Sequence, residues 1–376
     1  MIFMLDESYS LFAGGEHGPR FGGAGLQLFL IADELSKSGD FNVSWIFGHS
    51  NADLNLSKIQ HDFINIIDGK DLEKMEEIST SIAPKVAISS TANATPLLLN
   101  SAKHLSAKSI LRLSSDTDTT KPRNVGGRRS AEVFDLYAQC DAIVVQSDHQ
   151  LQQLSNISGI NACKIQSLWP SVLHEARTER CQGAILWVAS AQVLKQPWYF
   201  LDLVRRFPNE KFFMVMPEAG NSNLAEYVQR RKDGLPNLAL ITKQLSLEEV
   251  AEAMLEAKLF VNTSEIEGFP NTFLQAFSAG LPVVSLNIDP DGIIDKYELG
   301  INARNEFAAL VLGVEKLLSD DEYYNRCSEN GLRYLQEHHG MDRLFDWVKL
   351  IESVAGLDYR SQAASKMSQL LKFFSK

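Results

Sequence analysis

Asn262-Thr263-Ser264-Glu265-Ile266-Glu267-Gly268-Phe269-Pro270-Asn271-Thr272-Phe273-Leu274-Gln275-Ala276-Phe277-Ser278-Ala279-Gly280-Leu281-Pro282-Val283-Val284 is the stretch on which the reading of this chain turns. A strand ends near Asn262, and the loop after it carries two acids and a glycine. A helix begins near Pro270–Thr272 and stops at Gly280, because proline suits the first turn of a helix and glycine the residue just past its end. Pro282 then opens another strand. The backbone N–H groups near Asn271–Phe273 lack intrahelical partners and lie at the positive end of the helix dipole, which makes this an anion site suited to a diphosphate. Glu267 in the loop and Gln275 in the helix could both accept hydrogen bonds from hydroxyl-rich groups on either side of that anion. Phe273 and Phe277, four residues apart, read as core packing.

The strand–loop–helix pattern recurs outward in both directions. Apolar runs mark strands at Ile2–Leu5, Val43–Phe47, Phe63–Ile67, Val86–Ser89, Ser109–Leu113 and Ala142–Val145, then at Ile185–Ala189, Phe212–Met216, Leu238–Ile241, Leu259–Asn262 and Pro282–Leu286. Between them lie amphipathic stretches at Leu26–Ser38, Asp71–Ala83, Ala131–Cys140 and Leu247–Ala257. In the first of these, Leu28, Phe29, Ala32 and Leu35 recur at the spacing of one helix face. Strands alternating with helices, most strands apolar on both faces, indicate an α/β fold with doubly wound parallel sheets covered on both sides. The alternation pauses from Leu168 to Gln182, a polar run with a proline that reads as a linker. The chain therefore divides into two Rossmann-like domains, 1–170 and 171–340, with helices in 341–376 expected to pack back on the first. Ligands of such sheets bind beyond the carboxyl ends of the strands, and two facing sheets place the expected site in the cleft between them.

Composition narrows the field. At about 100–200 residues per domain, 376 residues fit two or three domains. Apolar residues make up 45% of the chain and charged residues 22%, the proportions of a globular protein with a full core. The net charge of −11 argues against a protein that coats nucleic acid. Cys140, Cys163, Cys181 and Cys327 form no metal or disulfide spacing, which fits a reducing compartment. No signal peptide is expected, and no apolar run approaches the roughly 18–20 residues that span a bilayer. His338-His339 reads as a surface pair near a helix end.

The opening stretch resembles the nucleotide-sugar motif of family 4 retaining glycosyltransferases, which have the two-domain GT-B fold. That motif has a Glu followed by Gly-Phe, a second Glu separated from the first by seven residues, then Ala, a small residue, Gly, any residue and Pro-Val. The match runs through Glu267, Gly268, Phe269, Ala276, Ala279, Gly280, Pro282, Val283 and Val284. Gln275 replaces the second Glu, which in the family holds the nucleotide ribose; an amide can still accept from one hydroxyl and donate to another. Asn287-Ile288-Asp289-Pro290-Asp291-Gly292 is similar to a branch associated with bacterial surface polysaccharide assembly. The family's diphosphate clamp is an Arg and, five residues on, a Lys. Lys195 matches the Lys, and Ser190 stands at the Arg position. Lys243, Arg177 and Arg180 are candidate replacements. Phe21-Gly22-Gly23-Ala24-Gly25-Leu26-Gln27 resembles the family's first glycine-rich loop, which approaches the transferred sugar; its spacing is not that of a dinucleotide fingerprint. Asp116 and Asp118 follow a strand where many members carry a His near the reacting sugar.

The resemblance implies a metal-independent hexosyltransferase with no bound cofactor. Its donor would be a UDP- or GDP-linked sugar, and its acceptor a saccharide, expected to be lipid-linked. The implied location is cytoplasmic, with peripheral contact at the inner face of the cytoplasmic membrane. Glu267, Lys195 and Asp116 are the catalytic candidates. Gly22, Gly23, Ser190, Lys195, Glu267, Gly268, Phe269, Pro270, Asn271, Thr272 and Gln275 are the donor-binding candidates.

Each feature also has a plainer reading. Glu267 can be a solvated loop acid, Lys195 a surface lysine, and Gln275 a helix residue facing water. Gly22 and Gly23 can be a turn that supplies positive φ. Asp116 and Asp118 can be turn or cap residues. Lys103–Arg129 holds seven basic residues against two acids, which suits either an anionic membrane or lipid-diphosphate surface or a solvated loop and helix start. The tail Ser361–Lys376 is amphipathic and suits either a membrane surface or the first domain. Ser190 and Gln275 keep open a non-catalytic partner subunit of an active transferase. A sugar phosphorylase and a nucleotide-sugar epimerase share the two-domain architecture.

Overall fold

Aliphatic and aromatic side chains fill the strands of two parallel sheets, and each sheet is covered on both faces. The computed structural model describes residues 2–4, 11–12, 22–47, 61–68, 83–122, 128–169, 183–218 and 222–357. The chain forms two units, Met1–Leu168 with Met341–Lys376, and Trp169–Gly340.

In the first unit the strands are β1 (Ile2–Met4), β2 (Val43–Phe47), β3 (Ile64–Asp68), β4 (Val86–Ser90), β5 (Lys108–Arg112), β6 (Ala142–Val145) and β7 (Ala162–Lys164). They pair in parallel in the order β3-β2-β1-β4-β5-β6-β7. Successive residues point to opposite faces. Val43, Trp45, Phe47, Val86 and Ile88 meet Leu28, Ile31 and Leu35 of α1 (Gly23–Lys37), together with Leu344, Trp347 and Ile351 of the helix Asp342–Val354. On the other face Ile46, Ala87, Leu111 and Ile143 meet α2 (Thr95–His104), α4 (Ser130–Tyr137) and α5 (Asp148–Ser155). The short α3 (Asp116–Thr120) follows β5.

One group breaks the apolar pattern. Arg112, the last residue of β5, is 1% exposed and meets two neutral hydroxyls, with Nη1 donating to Ser114 Oγ (3.1 Å) and Nη2 to Ser167 Oγ (3.0 Å). Burial lowers its pKa from the ordinary guanidinium value to about 9, so at neutral pH a charge is held in the core without a carboxylate partner among the described residues. Between those two values the unfolded chain binds more protons than the folded one, so the Arg112 contribution to stability rises with pH across that window. Arg112→Met is expected to be neutral or stabilising by about 1–4 kcal/mol at neutral pH, with the gain shrinking as pH rises past about 9. Chemical denaturation at neutral and alkaline pH checks this. A loss of about 3 kcal/mol at neutral pH would mean that the two hydroxyl bonds outweigh the cost of charge burial.

The second unit contains β8 (Ile185–Val188), β9 (Phe212–Val215), β10 (Leu238–Ile241), β11 (Leu259–Asn262), β12 (Val283–Ser285) and β13 (Gly300–Asn302), parallel in the order β10-β9-β8-β11-β12-β13. Its helices are α6 (Pro197–Arg206), α7 (Ser222–Lys232), α8 (Leu247–Glu256), α9 (Asn271–Ser278), α10 (Ile293–Lys296), α11 (Phe307–Ser319) and α12 (Asp321–His339). Ile185, Trp187, Phe212 and Met214 face α6 and α11, whereas Leu186, Val215 and Phe260 face α8 and α9.

Several expectations are revised. His339 is fully buried rather than a surface residue. It lies at helical spacing from Leu332 and Leu335 on the inner face of α12, and its ring packs 4.7 Å from that of Phe269. The glycine-rich segment is not a positive-φ turn: Gly22 is extended at φ −97° and Gly23 is already the first residue of α1. Of the seven basic residues in Lys103–Arg129, Arg112 is buried, Lys108 pairs with Asp141 and Arg129 with Glu132. Strands β7 and β13 were not expected. Residues 71–82 of the amphipathic stretch, linker residues 170–182 with Arg177, Arg180 and Cys181, and also Leu5, Phe21, Arg123 and the tail Ser361–Lys376 lie outside the described residues.

Candidate functional site

Strand order decides where a ligand can enter the second unit. Beginning with β8, the chain adds β9 and β10 on one side, then returns to add β11, β12 and β13 on the other. The connections after β8 and β11 therefore diverge to opposite faces, which opens a crevice beyond the carboxyl ends of these two neighbours. Both loops named from the sequence leave the sheet here.

The loop after β8 carries Ser190 and ends in a single 3₁₀ turn, Val193–Lys195, before α6. Gln192 N–H donates to Ser190 O (2.7 Å) and Lys195 N–H to Gln192 O (3.0 Å). Gln196 follows in the left-handed region, at φ 47° and ψ 54°. The loop after β11 runs alongside. Glu265 N–H donates to Leu194 O (2.8 Å), and the Thr263 hydroxyl donates to Lys195 O (2.7 Å). Across these two loops Lys195 Nζ and Glu267 Oε1 form an ion pair, each side chain 18% exposed. Neither is a freely solvated surface charge. Residues 72 apart in sequence thus meet at the switch point.

The helix start follows four residues after Glu267. Pro270 caps α9 in the extended conformation, and Phe273 N–H donates to Pro270 O (3.0 Å). This tightens the first turn and uses one of the amides expected to face an anion. At the other end Gly280 (φ +59°) lets Leu281 N–H reach Ala276 O (2.8 Å) and its own N–H reach Phe277 O (3.0 Å), a Schellman stop that only a residue tolerant of positive φ makes without strain. Gln275 is only 9% exposed, so it does not face open water. Gly268, Phe269 and Pro270 are buried, and the Phe269 side chain is part of the apolar layer under the loop. Asn271 and Thr272 are half-buried at the helix start. Lys243, one candidate for a second cation, pairs with Glu249 at the cap of α8.

The remaining candidates belong to the first unit. Asp116 accepts from Gln150 Nε2 (2.9 Å), and Asp118 caps α3 by accepting from Ser114 N–H (3.2 Å) and Ser115 N–H (3.1 Å). Burial raises the Asp118 carboxyl above its ordinary value, opposed by these amide bonds. Asp118 thus takes its cap reading. Gly22 and Gly23 are exposed at the start of α1, where Leu26 N–H donates to Gly22 O (3.1 Å). Thr263 is the residue that the sequence reading passed over. Its signal was Trp187, a tryptophan in an apolar strand whose indole N–H needs an acceptor once buried.

Residues 182–334, most of the second unit, match the family described as "Glycosyl transferases group 1". No curated protein matches the chain by sequence. Among solved structures, Anabaena HepE in complex with UDP and glucose is 12% identical over 94% of this chain and 98% of its own, with a TM-score of 0.70. The chain has the GT-B fold. A second GT-B chain, sucrose-phosphate synthase from Thermosynechococcus elongatus, is 12% identical over 94% of this chain and 98% of its own, with a TM-score of 0.68. A TarM variant from S. aureus in complex with fondaparinux, α-GlcNAc-glycerol and UDP is 15% identical over 71% of this chain, with a TM-score of 0.59; the GT-B chain described here spans 55% of TarM's length.

Proposed function

We propose that this chain is a retaining glycosyltransferase that moves a hexose from a nucleoside-diphosphate sugar to a saccharide hydroxyl. The observation that carries the reading is the contact of Lys195 with Glu267 at the switch point, directly ahead of the α9 start, inside the segment that matches group 1 glycosyl transferases. The Lys195 ammonium and the first amides of α9 neutralise charge growing on the leaving diphosphate, a stabilisation largest in the transition state. Glu267 orients the donor sugar through its hydroxyls and Gln275 holds the ribose. Ser190, Gly268, Asn271 and Thr272 line the donor's path. The reading assigns Gly22 and Gly23 to the transferred sugar and Asp116 to the acceptor.

In the proposed reaction the acceptor oxygen bonds to the anomeric carbon on the face that the diphosphate leaves. The anomeric C–O bond breaks, and the acceptor proton passes to the departing phosphate oxygen. The reading assigns no metal ion a role. UDP in the HepE and TarM structures supports a nucleotide-linked donor. A lipid-linked acceptor in polysaccharide assembly, with cytoplasmic location and peripheral membrane contact, fits the exposed Lys103, Lys121 and Arg128 of the first unit. No helix among the described residues is long and apolar enough to cross a membrane.

A panel of UDP- and GDP-sugars tests this. A true donor at a hundred times its Kd adds about 2.7 kcal/mol of stability and raises the melting temperature. Transfer to a saccharide should then follow, and it should survive exhaustive chelation. Rescue of a chelated sample by Mn²⁺ would redirect attention to Asp116 and Asp118. Donor binding without transfer or hydrolysis would favour the partner-subunit reading, which Ser190 and Gln275 support.

A further inference from the structure

The Lys195 ammonium can serve a diphosphate only if the turn beneath it stays in place. That turn is poorly anchored by its own residues. Val193 and Leu194 are exposed, and Gln196 carries the backbone strain of a left-handed non-glycine residue. The anchors come from the neighbouring loop, one of them the Glu265 N–H that donates to Leu194 O at 2.8 Å. Thr263 is fully buried, and its hydroxyl hydrogen bonds to Lys195 O at 2.7 Å. The same oxygen accepts from Trp187 Nε1 at 2.9 Å. Trp187 is 2% exposed and fixed in β8, so its indole N–H occupies a lone pair of the hydroxyl and turns the hydroxyl hydrogen toward Lys195.

We infer that Thr263 is a positioning residue for Lys195: the line Trp187–Thr263–Lys195 across β8 and β11 sets the point from which the ammonium reaches the diphosphate. The inference rests on the donor-binding reading above. Without the hydroxyl, the Lys195 carbonyl loses its buried donor and the strained turn relaxes away from its working position. Thr263 touches no substrate and acts through Lys195.

UDP and GDP titrated calorimetrically into the full chain test this with Thr263→Val, Thr263→Ser, Lys195→Ala and the double variant Thr263→Val/Lys195→Ala. Thr263→Val is expected to weaken nucleotide binding about tenfold, the scale of one lost buried hydrogen bond. Thr263→Ser, which keeps the hydroxyl, should stay within about twofold of the unaltered protein. In the Lys195→Ala background the further Thr263→Val change should have no effect on affinity, because a residue acting through Lys195 has nothing left to position. Where Thr263→Val fails to fold, Thr263→Ala removes the same hydroxyl with less crowding and carries the same expectations. Undiminished affinity in Thr263→Val overturns the inference. So does an equal loss in the Lys195→Ala background, which would mark general loosening of the core. If the unaltered protein bound neither nucleotide, the donor-binding reading itself would fall, an outcome distinct from both.

Discussion

Lys195→Ala is expected to lower donor turnover by about 10²–10³-fold, the usual cost of removing one preorganised electrostatic contact from a transition state. Among the described residues compensation from neighbours is limited. Ser190 stands at the position where the resembling family has an arginine, and Lys243 is engaged with Glu249 on another helix. The loss also leaves Glu267 with an unbalanced carboxylate at 18% exposure, beside the place where the diphosphate would lie. That second effect adds repulsion in the ground state, so the donor KM should rise while kcat falls. Steady-state kinetics across a donor series measures both. Wild-type turnover in Lys195→Ala would place the diphosphate elsewhere.

Gly300→Ala should be strongly damaging to the second unit. Gly300 opens β13 at φ +149°, and an added Cβ would stand 1.8 Å from Val283 O and 2.8 Å from Val283 N on the paired strand. Both obstacles are backbone, so no rotamer change relieves them. The carbonyl of Gly300 also accepts from the Tyr323 hydroxyl at 2.9 Å, which ties α12 to the sheet edge. Moving the strand breaks that bond too. A loss above about 4 kcal/mol is expected, outside the usual range for a point substitution. Thermal or denaturant unfolding gives the value directly, and a melting temperature within a few degrees of the unaltered protein would contradict this geometry.

Gly300 also shows where reading from sequence stops. β2, β6, β10 and β11 fall where their apolar runs place them, because each is at least four residues long and apolar enough to be seen alone. α9 lies between Pro270 and Gly280 because proline fixes φ at the start and glycine accepts the positive φ that ends the helix. β7 reads Ala-Cys-Lys and β13 reads Gly-Ile-Asn, three residues each at the rim of a sheet. Such strands are defined by the neighbour they pair with, not by their own composition. The same holds for His339, whose burial follows from the phase of α12. Within the site, Lys195 and Glu267 were legible singly from their motif spacing. Their pairing was not, since it depends on β8 and β11 being adjacent. Thr263 needed both that adjacency and the demand of the Trp187 indole for an acceptor.

The second unit begins at Trp169 and ends at Gly340, and the Trp169 N–H donates to His339 O at 2.7 Å. Its entrance and exit therefore sit together, like the two leads of a plug. A segment built this way can be lifted out of one polypeptide and spliced into another without stretching the recipient, since the gap that it must bridge is a single amide contact. Recombination could thus exchange the second unit as an intact cassette, leaving the host scaffold as it was.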